Sequence, residues 1–524
     1  MTDTVQKLLR QRLTDRTTAV KYGERTWTWA EHLDEAARQA AALIALADPR
    51  RPLHVGTLLG NTPAMLTAMA AAGLGGYVLC GINDTRRGDA LARDIARADC
   101  QILLVDTEHR ALLDGLDLPG VRILDVDSAD WADLTARPGR LTPHRDVEAA
   151  DTFMLIFTSG TGGEPKAVQV AQMMVPFSGS ALVQRFSITG EDVCYLSMPL
   201  FHSNALLAGW SVALASGAAM APATFSASKL LADVRRYGVT YLNYVGKPLA
   251  YVLATAEQPD DHDNPLRVAF GNEAAERDIT EFSRRFGCAV WDGFGSTEGA
   301  VIITRDGDCP PGSVGRGFPG VAVYNAETLT ECPPARFDAH GALLNADEAI
   351  GEIVNTDGPG LFRGYYNDDD ATGERLRHGM YWSGDLAYKD EDGWIYLAGR
   401  TSDWLRVDGE NLACAPIERI LHRLHPVSRV AVYAVPDDVG DAVMAALVLR
   451  DGATLTRAQF GEFLADQPDL SPKAWPRYVW IARGDDAVPV TATNKIIKRQ
   501  LSAQGLAVPD GELWRRDPRG RDYR

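Results

Sequence analysis

Hydrophobic positions come in two textures along this chain. Between Leu53 and Trp291, short apolar runs alternate with longer amphipathic or small-residue stretches. The runs near Leu53–Leu59, Tyr77–Ile82 and Gln101–Val105 read as buried strands, with helices from Pro63 and from Arg87 between them. Strand-length runs separated by helix-length segments predict the βαβ rhythm of a parallel sheet. The rhythm resumes at Phe153–Phe157 and continues through Val193–Ser197, a helix after Ser203, Tyr241–Val245, Arg267–Phe270 and Ala289–Trp291. From about Val314 to Arg400 short β-rich pieces, such as Gly351–Asn355 and Trp394–Leu397, alternate with Gly and Asp turns. That texture predicts an antiparallel sheet or a small barrel. After Arg400 a compact α+β segment is predicted, with a helix near Pro416–His425 and strands near Val430–Val435 and Val443–Leu449. The polar tail from Gly505 to Arg524 is expected to be loose. There are no internal repeats.

Length and composition narrow the class. A chain of 524 residues exceeds one ordinary core, so two or more domains are expected. Val55–Asn83 and Ser203–Ser228 carry no charged side chain, but Pro63 and Pro222 interrupt them and small residues fill them. Buried helix–strand pairs explain them better than membrane spans. The N-terminus has no apolar signal core, and the seven cysteines form no CxxC pair, which predicts reduced thiols in a cytoplasm. The formal net charge of −17 argues against nucleic acid as a partner. An acidic protein that binds a polyphosphate must concentrate cations locally, and lysine is scarce here.

One segment points to such binding. Thr158-Ser159-Gly160-Thr161-Gly162-Gly163-Glu164-Pro165-Lys166 follows the apolar run 153–157. Glycines allow backbone N–H groups to turn toward an anion, the hydroxyls add donors, and Lys166 adds a point charge. Pro165 and Ala167 flank Lys166 where the Walker pattern needs Gly and Ser or Thr, so this is a phosphate loop of another kind.

Several further segments, with this loop, resemble the adenylate-forming superfamily of acyl-CoA synthetases, luciferases and peptide-synthetase adenylation domains. The match spans about residues 20 to 505, with the motifs in the family's order. The loop is similar to the family's TSGTTGxPK signature and departs from it at Gly162 and Ala167. Phe294-Gly295-Ser296-Thr297-Glu298 resembles YGxTE, with Phe294 offering a stacking face to adenine and Glu298 placed to hold Mg²⁺. Gly271-Asn272-Glu273 resembles the loop on the other face of adenine, or is an ordinary strand-to-helix turn. In Trp382-Ser383-Gly384-Asp385, the resemblance gives Asp385 the ribose hydroxyls, and Arg400 then reaches the nucleotide. Thr493-Asn494-Lys495 matches the C-terminal motif whose lysine enters the active site. His202, in Pro199-Leu200-Phe201-His202-Ser203-Asn204, orients the substrate carboxylate, gates its tunnel, or is structural.

The resemblance implies an α/β fold: a large N-terminal domain of parallel α/β sheets plus a small β-barrel-like part (residues 1–399), a hinge at 400–403, and a small mobile α+β C-terminal lid (404–524). Ser402 takes the hinge position, where Asp or Lys is common, and Gly409 lies beside the CoA channel. The implied cofactors are ATP, Mg²⁺ and CoA. The implied reaction joins a carboxylic acid to AMP and then to CoA, or to a carrier-protein thiol. Ala205-Leu206-Leu207-Ala208-Gly209-Trp210, expected to line the acid pocket, is apolar and mostly small. This favours a hydrophobic acid, long-chain or polycyclic. An enzyme that stops at the adenylate, a luciferase-like oxygenase and a non-catalytic binding protein share much of this pattern.

Overall fold

The computed structural model describes every residue except 1–2, 137–138, 160–164, 247, 306, 340–342, 401–403, 408–409, 437–440, 491–495 and 518–519. The chain forms two compact units: Met1–Ala300 with Pro359–Glu374, and Val301–Gly358 with Arg375–Arg524. The hinge expected at 400–403 falls within the second unit, and Ser402 lies outside the described residues.

Two sheets build the first unit. One runs Arg122–Asp125, Ile102–Val105, His54–Leu58, Val78–Gly81, Thr152–Ser159, Pro165–Ala171 in spatial order. Its first five strands are mutually parallel, and the last closes a hairpin on Thr152–Ser159. The other runs Ala289–Gly293, Val268–Asn272, Tyr241–Val245, Val193–Leu196, Ala219–Pro222, Thr18–Tyr22, Arg25–Thr28, parallel except for its final pair. The expected βαβ rhythm is present. Both uncharged stretches are buried helix–strand pairs, and no described helix is long and apolar enough to cross a membrane.

Asn61 ties the two sheets, which also share one hydrophobic core. Asn61 follows the strand His54–Leu58, and its Nδ2 donates to the carbonyls of Leu196, Met198 and Ala223. Its Oδ1 accepts from the Leu200 amide at 3.1 Å. The adjoining Gly60 amide donates to Asp106 Oδ2 at 2.8 Å. Asp106 Oδ1 stands 2.6 Å from His109 Nδ1, and Asp84 Oδ2 lies 3.6 Å from His109 Nε2. The carboxylates of Asp84 and Asp106 push the imidazole up to about 9, against the opposing effect of its burial.

In the second unit an antiparallel sheet covers the change of texture seen in sequence. Its order is Ile303–Thr304, Gly315–Gly317, Trp394–Arg400, Met380–Lys389, Gly351–Asn355, Val321–Asn325, Thr330–Glu331. A four-stranded sheet of Val427–Pro436, Asp441–Leu449, Tyr478–Ala482 and Glu512–Arg515 packs with the helices Cys414–Leu421 and Arg457–Ala465. The tail expected to be loose is held instead. Glu512–Arg515 is a strand, Trp514 and Tyr523 are buried, and the Tyr523 hydroxyl donates to the Pro476 carbonyl at 2.7 Å. Two aromatic anchors in a polar run suffice to dock it.

Candidate active site

In the first unit, the C-terminal ends of parallel strands carry most of the expected residues. That edge is where open α/β sheets bind ligands. Thr158 pairs with Lys166 across the hairpin, so the loop's ends stand side by side. Gly160, Thr161, Gly162 and Gly163 lie outside the described residues, and Ser159 is known only by its strand pairing.

Lys166 has two neighbours. Its Nζ is 3.2 Å from Glu374 Oε2 and 5.2 Å from the centroid of the Tyr365 ring. The Tyr365 hydroxyl donates to Glu298 Oε1 at 2.9 Å. Tyr365 is buried, edge-on to Phe362, and its amide donates to Thr372 Oγ1. Residues 364–366 run alongside the strand Pro165–Ala171 through Gln169 N to Gly364 O, Tyr366 N to Ala167 O, and the Val168–Tyr365 bridge. One tyrosine thus stands between the loop lysine and the expected metal carboxylate, which are remote in sequence.

Glu298 sits in a turn after the strand Ala289–Gly293. In the same turn the buried Ser296 Oγ has no partner among the described residues. Those residues also hold no cluster of three His, Cys, Asp or Glu side chains fit for a metal. A carboxylate with one oxygen held by Tyr365, two residues from an unsatisfied hydroxyl, fits a hard cation that brings phosphate oxygens with it.

The opposite side of this edge is wired by amides. Asn243 Nδ2 donates to Asn204 Oδ1 at 2.7 Å. Asn204 Nδ2 donates to Tyr244 O at 3.1 Å and Asn272 Oδ1 at 3.3 Å. Asn272 Nδ2 donates to Gly293 O at 2.7 Å. Ser203 Oγ and Thr297 Oγ1 lie 2.9 Å apart. The segment around His202 is therefore hydrogen-bonded to both expected nucleotide loops, 271–273 and 294–298. Gly271 is dictated by packing, since a Cβ there would collide with the Tyr244 carbonyl and ring. Glu273 adopts φ +66°, rare for a residue with a side chain, and the Ala274 amide is caught by Asp292 Oδ2 at 2.9 Å. Phe294 and Gly295 follow directly on the neighbouring strand end.

His202 is half-buried, its ring centroid 4.5 Å from that of Phe201, and its carbonyl accepts from Leu206 N. In the segment after it, Leu206, Ala208, Gly209 and Trp210 are buried within one π-helical turn, Leu207 is half-buried, and Trp210 stacks on Phe153 with centroids 5.7 Å apart. Gly209 has no room for a Cβ against Asn243 and Leu196.

In the second unit, Asp385 and Arg400 face each other across adjacent strands, with Oδ1 to Nε 2.7 Å. The strand bearing Asp385 passes through Gly384 at φ +76°, whose amide donates to Glu352 Oε1 at 2.7 Å. Burial raises the Glu352 carboxyl above its ordinary value. Lys495 and Gly409 lie outside the described residues. Just beyond the former, Lys498 pairs with Glu418 at 2.9 Å, and Glu418 also accepts from Val432 N.

Two family models cover the chain: that of AMP-binding enzymes matches residues 10–366, and that of their C-terminal domain matches 416–495. The chain belongs to the AMP-binding enzyme family. It is 51% identical over 497 residues to a medium/long-chain-fatty-acid–CoA ligase, FadD17, of Mycobacterium marinum, covering 94% of each chain. It is 46% identical over 512 residues to the steroid-22-oyl-CoA synthetase of Rhodococcus jostii, covering 96% of this chain and 91% of that one. Among solved structures, the ATP-bound MatB of Rhodopseudomonas palustris superposes with a TM-score of 0.83 at 25% identity, covering 96% of this chain and 99% of that one. The expected superfamily and fold class are thereby established, and the protein is an acid–thiol ligase of the AMP-forming type. The sequence reading missed Tyr365, Glu374 and the relay of Asn204 and Asn243. None lies in a phosphate-loop or metal signature; Asn204 stood in the segment quoted around His202, and Asn243 in a run read only as a strand.

Proposed function

We propose that the protein uses ATP to convert a hydrophobic carboxylic acid, long-chain or polycyclic, to its acyl-adenylate and then transfers the acyl group to CoA. The carrying observation is that Lys166, Glu298 and Thr297 share one edge of the first unit with the His202–Asn204 segment, bonded directly or through Tyr365. The names of the two relatives above support the hydrophobic acid class. A cytoplasmic setting agrees with seven cysteines, none in a disulfide and six of them buried.

The chemical obstacle is that two anions must meet, so positioning and charge neutralisation carry the catalysis. Lys166 and the loop donors at 158–163 bind the phosphates. Glu298, with Ser296 beside it, would hold Mg²⁺, which supplies charge neutralisation for the triphosphate when bound. Phe294, Gly295 and the loop 271–273 hold the adenine, and Asp385 and Arg400 serve the ribose and nucleotide. His202 orients the acid. Lys495 bridges the carboxylate and the α-phosphate. The carboxylate oxygen bonds to the α-phosphorus as the bond to pyrophosphate breaks, and no protein nucleophile is required. Motion about Ser402 then withdraws Lys495. The CoA thiol, reaching past Gly409, attacks the acyl carbonyl, and AMP leaves.

The reading is tested by pyrophosphate release over a panel of fatty, steroid and diterpenoid acids, with CoA or an acyl carrier protein as acceptor. Release with a hydrophobic acid followed by acyl-CoA is the expected result. Transfer only to the carrier protein would move the acceptor assignment, and no release with any acid would end the reading. Gly409→Leu should spare ATP–pyrophosphate exchange and block thioester formation; surviving CoA transfer would put the channel elsewhere.

A further inference from the structure

Tyr365 has no part in the reaction as derived so far, yet it touches two of its charged groups. It is buried, and its placement is fixed from several sides. The backbone pairs with Val168, the amide is satisfied by Thr372 Oγ1, and the ring meets Phe362 edge-on. What this rigid post presents is chemically specific. Its aromatic face carries the Lys166 ammonium at 5.2 Å, within cation–π range. Its hydroxyl donates to one oxygen of the Glu298 carboxylate at 2.9 Å. A carboxylate has two oxygens, so this bond fixes the rotamer and leaves Oε2 for another partner. A phenol supplies both contacts from one side chain with only two rotatable bonds, which is economical for holding opposite charges in register.

We propose that Tyr365 is a positioning residue of the nucleotide site: it aims the Glu298 carboxylate at the divalent cation that accompanies ATP and holds the Lys166 ammonium for the phosphates. The inference rests on the assignment of ATP to this edge. It makes a division that a purely structural tyrosine would not. The hydroxyl serves the cation through Glu298, and the ring serves the phosphates through Lys166.

The two contributions separate in binding measurements on the intact protein. The probe is α,β-methylene-ATP, which cannot release pyrophosphate, titrated calorimetrically with Mg²⁺ and with EDTA. In Tyr365→Phe the affinity with Mg²⁺ should fall about five- to tenfold, the scale of a hydrogen bond to a charged group. Affinity in EDTA should not change. Glu298→Gln should lose the same Mg²⁺-dependent part, and the double variant should be no worse than either single one. Tyr365→Leu, which also lacks the ring, should weaken binding in EDTA by about two- to fivefold. If Tyr365→Phe lowers the melting temperature, the cycle can be run below its transition, and Glu298→Gln probes the same bond from its other end. Unchanged or tighter Mg²⁺-dependent binding in Tyr365→Phe, or additive losses in the double variant, overturns the proposal. A wild-type protein that binds no analogue in either condition would overturn the nucleotide assignment itself.

Discussion

The amide-wired side of the candidate site and its charged side are built on different terms. On the first, Asn243, Asn204 and Asn272 bond to one another and end on strand carbonyls, with Asn243 Oδ1 left without a partner among the described residues. On the second, each charge rests on a partner that a ligand can replace or share. Lys166 lies against Glu374, and Glu298 against the Tyr365 hydroxyl. Neutral hydrogen-bond networks lose much when one member goes and gain little from exchange. Exposed ion pairs are worth little and exchange readily. The contrast assigns shape to the amide side and charge neutralisation to the charged side.

The largest effect is expected from the lysine proposed to bridge the two reacting anions. Lys495→Ala should lower acid-dependent ATP–pyrophosphate exchange by about 100- to 1,000-fold, the cost of removing one preorganised charge from a transition state. Thioester formation from supplied acyl-adenylate should be nearly unchanged. Equal loss of both half-reactions would show that this lysine is not confined to the charge-neutralising step.

Asn204→Leu strikes the amide side. It leaves Asn243 Nδ2 and Asn272 Oδ1 unpaired, costing about 1–3 kcal/mol of stability for a buried orphan. Because the same amide braces the 271–273 loop and the His202 segment, KM for ATP and for the acid should rise together. Two-substrate kinetics with thermal melts check this. A rise in only one KM would mean that the relay does not couple the two loops.

These two variants also mark what the sequence could and could not reveal. The parallel strands, the hairpin loop and the turn carrying Glu298 were legible because each is announced locally, by an apolar run followed by glycine and hydroxyl residues. The link through Asn204 was not, because its partners Asn243 and Asn272 lie 39 and 68 positions away and nothing local marks the pairing. Tyr365 was hidden similarly, in a run of residues that contact the phosphate hairpin only after folding. Small apolar residues, as in Ala205–Trp210, fit a pocket wall and a tightly packed helix equally well, so the sequence alone does not distinguish them. The tail from Gly505 looked loose because charge dominates its composition, whereas two aromatic side chains dominate its energetics.

Glu374→Gln offers a finer test of the charged side. If the ion pair with Lys166 is a resting contact that ATP displaces, neutralising Glu374 should lower KM for ATP by about two- to fivefold. That is the range of a pair whose carboxylate is exposed, although the Lys166 side chain is mostly buried, and kcat should stay unchanged. A higher KM would mean that Glu374 helps to aim Lys166 instead of merely holding it at rest.

The smallest effect concerns the amide side's dependence on one titratable group. Asn61 joins the two sheets, and its neighbour Gly60 is held by Asp106, which in turn is held by His109. The folded protein binds the His109 proton more tightly, at about 9, than an unfolded chain does near the ordinary 6.5. The resulting stabilisation is fully present below about pH 6.5 and is lost as pH rises through 9. Melting temperatures should therefore decline over that window by on the order of 2 °C from this group. Asp106→Asn should flatten the decline, since the neutral amide no longer favours the imidazolium. KM for ATP should not follow the same curve, because Asn61 braces the sheets and touches none of the charged groups. If KM for ATP did track it, the wiring and the charges would be one system, and the distinction drawn between the two sides would fail.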